Sequence, residues 1–163
     1  MQERNNTNVS AEPEVILRGM RESDAAQAAE LEAACFSMPW SEQGFLEGMR
    51  SENTIFCAAE AEGRLAGYCG LYTAADEGEI TNVAVREDFR RRGIGRMLIR
   101  EIQKQAARRG IRSIYLEVRE SNTAAQAVYE KAGFSVCGCR KNFYRNPRED
   151  ARVMCCCLEE LEC

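Results

Sequence analysis

Apolar and polar residues in the second half of the chain predict a strand, a helix, a second strand and a second helix. The segment 80–85 has the apolar, β-branched run typical of a buried strand, including Val83 and Val85. After a turn rich in arginine and glycine, four apolar residues share one face of a helix that begins near Gly95: Met97, Leu98, Ile102 and Ala106. A strand–helix–strand unit is a crossover that pairs its two strands in parallel. The second helix is predicted to end at Gly133.

The rest of the chain carries the same two patterns and predicts an α/β (α+β) fold in one domain. The predicted order is β, α, α, β, β, β, α, β, α, β, β. The strands before the first crossover helix are 14–20, 54–61, 65–73 and 78–85, and the last two strands are 134–144 and 151–158. The first two helices are 25–36 and 42–50. Asn146 and Pro147, with residues 148–150, are expected to form the turn of the last hairpin. Residues 1–13 are polar without periodicity, so we expect a disordered tail before a single domain at 14–163.

Composition and charge exclude several classes of function. The chain has 163 residues and a net charge of −4, which disfavours direct binding to nucleic acid. No apolar run approaches the length of a membrane span, and the polar N-terminus predicts no signal peptide. We therefore expect a cytoplasmic protein without a membrane partner.

The nine cysteines and the absence of histidine bear on metal binding and redox state. Four cysteines lie at alternate positions of the last two predicted strands: Cys137, Cys139, Cys155 and Cys157. Four thiolates could converge on zinc, but the spacing differs from that of C-x-x-C zinc hairpins. The odd number of cysteines suits a reducing compartment better than a disulfide scaffold. We expect no metal and interpret these cysteines as small, buried apolar residues.

The arginine-rich turn at 90–96 predicts an anion site. It lies between a strand and the start of a helix, where free backbone N–H groups and the helix dipole attract phosphate. Gly93 and Gly95 allow the backbone to approach an anion closely, and Arg91, Arg92 and Arg96 add positive charge. The alternative is a solvated, arginine-rich helix start. The turn matches neither a GxGxxG dinucleotide motif nor a GxxxxGK[ST] phosphate loop.

Glu117 is a candidate general base. Alternation in the strand puts Ile114, Leu116 and Val118 on one face and Glu117 on the other, together with Tyr115. A carboxylate within an apolar strand is costly to bury unless it has a partner. Glu117 can therefore be a base that accepts a proton from an amine, directly or through one water, or a structural glutamate paired with a nearby arginine.

Asn122 and Tyr129 belong to the second helix of the crossover. Asn122 stands at the helix entry, where asparagine is a favoured N-cap. Tyr129 shares a helical face with apolar residues, so it can be a core tyrosine with a satisfied hydroxyl. Alternatively, a phenol with a pKa of about 10 is protonated at neutral pH and can donate its proton to a departing thiolate.

Arg90-x-x-Gly93-x-Gly95, following Asn82 to Val85, resembles the acetyl-coenzyme A motif of the GNAT acetyltransferases. This resemblance implies a central mixed, mostly antiparallel sheet with a parallel strand pair at its centre and helices on both faces. It implies that the backbone of Val83, Ala84 and Val85 pairs with the pantetheine arm, as a sheet accepts an added strand. It further implies a coenzyme contact by Asn122 and a pyrophosphate held by the backbone of Arg91, Arg92, Gly93, Ile94, Gly95 and Arg96.

Further motifs resemble one branch of that superfamily, the ribosomal-protein-alanine N-terminal acetyltransferases. They are Pro39-Trp40-Ser41, Leu116-Glu117-Val118-Arg119 before Ser121-Asn122, Val128-Tyr129-Glu130, and Tyr144 with Glu149-Asp150-Ala151. The resemblance covers about residues 14–158. It implies that Glu117 is the general base and that Tyr129 is the general acid. The acceptor groove is expected between residues 36–41 and the last hairpin, where Trp40 and Tyr144 can frame a small first residue of the acceptor; the alternative for both is plain core or loop packing.

The expected reaction is transfer of acetyl from acetyl-coenzyme A to the N-terminal alanine of small-subunit ribosomal protein 18. The ribosomal partner rests on the resemblance alone. Acetylation of another protein N-terminus, a lysine side chain or a small-molecule amine stays open, as does a non-catalytic coenzyme-binding module, because a fold by itself does not fix function. We expect a monomer or a weak dimer.

Overall fold

The computed structural model describes residues 14–159, and these form one seven-stranded sheet with four helices. The strands are β1 (Ile16–Gly19), β2 (Thr54–Ala61), β3 (Arg64–Ala74), β4 (Glu77–Val85), β5 (Ser113–Arg119), β6 (Ser135–Arg145) and β7 (Arg148–Cys157). The helices are α1 (Ala25–Cys35), α2 (Glu42–Arg50), α3 (Ile94–Arg108) and α4 (Thr123–Lys131). Short 3₁₀ turns at Glu22–Asp24 and Glu87–Phe89 precede α1 and α3. The expectation for residues 1–13 lies outside the described residues.

The predicted order of elements and the fold class are confirmed. The strands follow the order β1-β2-β3-β4-β5-β7-β6 across the sheet. Every neighbouring pair is antiparallel except β4 and β5, which run parallel at the centre of the sheet. The crossover helix α3 connects this parallel pair, as the strand–helix–strand pattern predicts.

Two apolar clusters cover the two faces of the sheet. One contains α3 and the sheet side chains that pack beneath it, and the other contains α1 and α2. Successive side chains of β3 point to opposite faces of the sheet and so contribute to both clusters: Cys69 belongs to the first and Tyr68 to the second. On α3, the predicted face is largely correct, but Ile99 is fully buried where Met97 is only half-buried.

A bulge in β4 alters which side chains point to each face. Gly70 of β3 pairs with Asn82, whereas Leu71 pairs with Ile80, so Thr81 is an extra residue in the ladder. The sequence predicted Val83 and Val85 to be buried, but both are half-buried beside the α3 cluster, while Asn82 and Ala84 are buried on the opposite side. The bulge therefore turns Asn82 toward α1.

Strands β4 and β5 separate after Glu79, just before the bulge. Their parallel pairing covers three residue pairs, from Glu77 with Ser113 to Glu79 with Tyr115. After these pairs, β4 stays paired with β3 up to Val85, and β5 stays paired with β7 up to Arg119. The facing edges of the two strands are consequently left free, and the gap between them opens the middle of the sheet.

The C-terminal hairpin differs from the prediction in two respects. Residues 148–150 belong to β7, so its turn consists of Asn146 and Pro147 alone. The interpretation of the four strand cysteines as buried residues is wrong for three of them, because Cys137, Cys139 and Cys157 are exposed and Cys155 is half-buried. Strand β6 is an edge strand, and nearly all of its side chains face solvent.

Candidate active site

A cavity of about 960 Å³ lies where β4 and β5 separate. Its walls come from both strands, from α1 and the connection that follows it, from α4, and from the end of β6. Six of the predicted site residues line it: Trp40, Val83, Glu117, Asn122, Tyr129 and Tyr144. The other eight lie outside its walls: Ala84, Val85, Arg91, Arg92, Gly93, Ile94, Gly95 and Arg96.

The edge of β4 that faces the gap offers backbone groups to a ligand. Val83 lies in the cavity wall, and β3 pairs with β4 only on the opposite edge. The carbonyl oxygen of Val85 already accepts a hydrogen bond of 3.2 Å from Nε of Arg90. A second hydrogen bond of 3.6 Å joins Arg90 Nη2 to Sγ of Cys35, so Arg90 connects the end of β4 to the end of α1.

The turn before α3 has the geometry of an anion site. Gly93 is in the left-handed region at φ +76°, and no atom lies within 4 Å of a Cβ built there. Among the described residues, no side chain caps the N-terminus of α3, so its first N–H groups point outward. Arg96 in the first helical turn opposes the helix dipole, which destabilises the free helix and favours a bound anion. A would-be Cβ of Gly95 is 3.9 Å from Val85, which places this turn beside the end of β4.

Glu117 lies on β5 with its side chain 13% exposed. Burial raises its pKa above the ordinary value, and the carboxyl group of Glu79 raises the pKa further. Arg140 reaches Glu117 across β7 with a separation of 3.3 Å between Nε and Oε1, and this positive charge lowers the pKa in part. The arginine partner of the structural alternative is therefore present, but the same carboxylate also lines the cavity.

Tyr129 and Asn122 enter the cavity from α4. The Tyr129 ring packs 5.9 Å from the ring of Phe134, and burial raises the pKa of its hydroxyl, so it remains protonated at neutral pH. Oδ1 of Asn122 accepts a 3.1 Å hydrogen bond from the backbone N–H of Ala125, so Asn122 is the N-cap of α4. Asn122 also lines the cavity, so capping and a ligand contact are compatible.

Trp40 and Tyr144 reach the cavity from separate parts of the chain. Trp40 follows α1 and packs against Phe45 with a ring separation of 5.4 Å, while 36% of the residue stays exposed. The Arg119 guanidinium lies 4.2 Å from the centre of the Tyr144 ring, at the end of β6. Glu149 fixes the position of Arg119, since its Oε1 accepts a 2.7 Å hydrogen bond from the Ser121 hydroxyl and forms an ion pair with Arg119 at 3.6 Å.

Sequence reasoning missed four residues of this region: Glu32, Glu79, Asn82 and Arg140. Glu32 is only 3% exposed, and Oε1 accepts a 3.0 Å hydrogen bond from Asn82. Burial raises the pKa of Glu32, and the Asn82 hydrogen bond and the nearby backbone N–H of Trp40 partly offset this. The signal for Glu32 was present, because it shares the buried face of α1 with Ala25 and Ala28 at helical spacing.

Two classes of site find no support in residues 14–159. In this part of the chain, no group of three or more acidic, histidine or cysteine side chains is placed to hold a metal ion. None of the helices described there combines the length and apolar character that a membrane span requires.

Comparison with known proteins agrees with this geometry. The sequence profile described as "Acetyltransferase (GNAT) family" matches residues 25–134. The [ribosomal protein bS18]-alanine N-acetyltransferase of Salmonella typhimurium is 37% identical, and the match covers 81% of this chain and 90% of that protein. The N-alpha-acetyltransferase RimI of Mycobacterium tuberculosis is 36% identical, with 86% and 90% covered.

A solved structure shows the same arrangement of elements. The crystal structure of the ribosomal-protein-S18-alanine N-acetyltransferase from Escherichia coli superposes with a TM-score of 0.81 at 31% identity. The superposition covers 89% of this chain and 94% of that protein. Together with the matched profile and the free edge of β4, these similarities establish that the chain belongs to the GNAT family of acetyltransferases.

Proposed function

We propose that this protein transfers the acetyl group of acetyl-coenzyme A to the α-amine of the N-terminal alanine of ribosomal protein bS18. The observation that carries the proposal is the gap between β4 and β5, which joins a free strand edge, Glu117 and Tyr129 in one cavity. Relatives named for bS18-alanine acetylation match nearly the whole domain, which supports the choice of acceptor.

The open edge of β4 suits the pantetheine arm of the coenzyme, and the start of α3 suits its pyrophosphate. The amide-bearing pantetheine arm pairs with the backbone of Val83, Ala84 and Val85, as an added strand would. The pyrophosphate binds the uncapped N–H groups at the start of α3, where Gly93 leaves open space. Asn122 contacts the coenzyme from the start of α4 while it caps that helix.

In the proposed reaction, the neutral α-amine attacks the carbonyl carbon of the thioester. Glu117 accepts the proton that the amine loses, directly or through one water, and its raised pKa makes it a stronger base. The C–S bond then breaks, and Tyr129 donates its hydroxyl proton to the departing coenzyme A thiolate. The transferred acetyl group ends on the amine as an amide.

The preference for an α-amine over a lysine amine follows from the different pKa values of the two groups. An α-amino group has a pKa of about 7.7–8.0 and is partly neutral near pH 7.5, whereas a lysine amine with a pKa of about 10.4 is almost wholly protonated. One carboxylate is therefore a sufficient base for an α-amine and a weaker one for lysine. Trp40 and Tyr144 frame the small first residue.

A competition between three peptides tests this function. The first begins with the alanine of bS18, the second has the same sequence with a blocked N-terminus, and the third offers only a lysine amine. We expect acetylation of the first alone, measured by mass spectrometry after incubation with acetyl-coenzyme A. Equal acetylation of the lysine peptide would contradict the α-amine assignment, and preference for an added polyamine would assign a small-molecule acceptor.

A ribosomal acceptor places the reaction in the cytoplasm. The acceptor is a flexible protein N-terminus, so the enzyme needs no direct contact with nucleic acid, in agreement with its net charge of −4. All the proposed catalytic groups come from one chain, and the enzyme accordingly acts as a monomer or a weak dimer. Sedimentation analysis at micromolar concentration checks the oligomeric state.

A further inference from the structure

A buried carboxylate in the cavity wall has an oxygen without a partner. Glu32 lies on α1, is 3% exposed and lines the cavity. Its Oε1 accepts the hydrogen bond from Asn82, but Oε2 has no hydrogen-bond partner among the described residues. Leaving a buried charged acceptor unsatisfied costs free energy, since the group has lost its water. A group from a bound ligand would satisfy it.

Neighbouring residues fix which oxygen stays free. Oγ1 of Thr81 lies 2.6 Å from Oδ1 of Asn82 and donates a hydrogen bond to it, which leaves the Asn82 amide group to donate to Glu32. The bulge at Thr81 is what turns Asn82 toward α1. Oε2 of Glu32 is therefore a fixed, buried oxygen without a hydrogen-bond partner among the described residues, in a side chain that lines the cavity close to the backbone N–H of Trp40.

We infer that Glu32 recognises the acceptor peptide by accepting a hydrogen bond from the backbone N–H of its second residue. This inference rests on the proposed acetylation of a protein N-terminus. The amine itself is a poor partner for Glu32, because a second carboxylate beside it would favour the protonated form, which cannot attack. Glu117 on β5 takes the amine, and Glu32 on α1 takes the next N–H along the peptide.

Such a contact would select the class of acceptor. Every protein N-terminus whose second residue is not proline carries a peptide N–H one residue after its amine, at a spacing that the backbone fixes. A polyamine has no amide N–H, and a lysine amine lies at the end of a flexible side chain, remote from any backbone N–H. Glu32 would thus add selectivity for α-amines of peptides to the selectivity that ionisation provides.

The test replaces one atom of the substrate. Two alanine-first peptides are compared, one natural and one in which an ester oxygen replaces the N–H of the second residue. With the wild-type protein, we expect the ester to lower kcat/KM by about tenfold to a hundredfold, the usual effect of losing a hydrogen bond to a charged group.

Glu32→Gln supplies the matching protein change. Asn82 would hold the amide oxygen of the new side chain, so an NH₂ donor would replace the free acceptor at Oε2. We expect Glu32→Gln to lower kcat/KM for the natural peptide to a similar extent and to treat both peptides alike. Glu30→Gln removes an exposed charge from the same helix and should behave as wild type.

The outcomes separate this inference from the proposed function. If the wild-type protein acetylates both peptides equally well, or if Glu32→Gln retains the preference for the natural peptide, the inference is wrong and the function stands. If the wild-type protein acetylates neither α-amine, both fall. The wild-type comparison needs no variant, so it decides the matter even if Glu32→Gln fails to fold.

Discussion

At the scale of single residues, the proposed base owes its strength to its surroundings. Burial and the neighbouring carboxyl group of Glu79 raise the pKa of Glu117, and the positive charge of Arg140 lowers it in part. A base is active when deprotonated, so activity should rise with pH through the pKa of Glu117. Neither neighbour could be inferred from the sequence, because Glu79 meets β5 through parallel pairing and Arg140 reaches it across β7.

The first prediction concerns Glu79→Gln. Removing the neighbouring carboxyl group takes away a contribution that raises the pKa of Glu117, so the acidic limb of the pH profile of kcat/KM should move to lower pH. Glu77→Gln is the matched control, since Glu77 is exposed on the same strand. An unmoved limb in Glu79→Gln would show that the two carboxyl groups do not interact during turnover.

The second prediction is the loss of turnover in Glu117→Gln. A general base contributes about 10²–10⁴-fold, so kcat should fall by that order while the Kd for acetyl-coenzyme A stays the same. Stopped-flow turnover and calorimetry measure the two quantities. A lower melting temperature together with lower activity would indicate that Glu117 is instead a structural partner of Arg140.

The third prediction concerns Tyr129→Phe. The substitution keeps the ring beside Phe134 and removes only the hydroxyl, so kcat should fall while the melting temperature changes little. Tyr72→Phe is the control, because Tyr72 is an exposed tyrosine outside the cavity. Full activity in Tyr129→Phe would exclude Tyr129 as the proton donor.

At the scale of elements, sequence periodicity predicted the helices and strands well, but not the faces they present. Strand β4 shows why: its apolar run predicted a buried strand, but the extra residue at Thr81, which appears only when β3 and β4 are paired, puts Val83 and Val85 on the same face as Ile80 and buries Asn82 on the other. The exposed Cys137 and Cys139 were missed for a related reason, since β6 turned out to be an edge strand.

The fourth prediction belongs to the turn before α3. Gly93→Val should weaken acetyl-coenzyme A binding, because the residue has φ +76° and its side chain would project into the open space assigned to the pyrophosphate. Gly63→Val is a close control, since Gly63 has φ +73° and also has no atom near its would-be Cβ, in the turn between β2 and β3. Both should lose similar stability, and only Gly93→Val should raise the Kd in calorimetry.

At the scale of the whole molecule, the coenzyme should stabilise the fold. A ligand at 100 times its Kd adds about 2.7 kcal/mol to the free energy of unfolding, which corresponds to a rise in Tm of about 5–10 °C for a domain of this size. Acetyl-coenzyme A should produce this shift in differential scanning calorimetry. Higher salt should reduce it, because salt screens the arginines that we propose to lie beside the pyrophosphate. An unchanged Tm would contradict the proposed coenzyme site.

The parallel pairing at the centre of the sheet is short and leaves part of both strand edges open. Three residue pairs carry all the pairing between the β1–β4 half and the half formed by β5, β7 and β6. Amides on the open edge of Ile80–Val85 should exchange hydrogen quickly in the free protein, because no strand protects them. A coenzyme lying in the gap would act as the missing strand and slow that exchange.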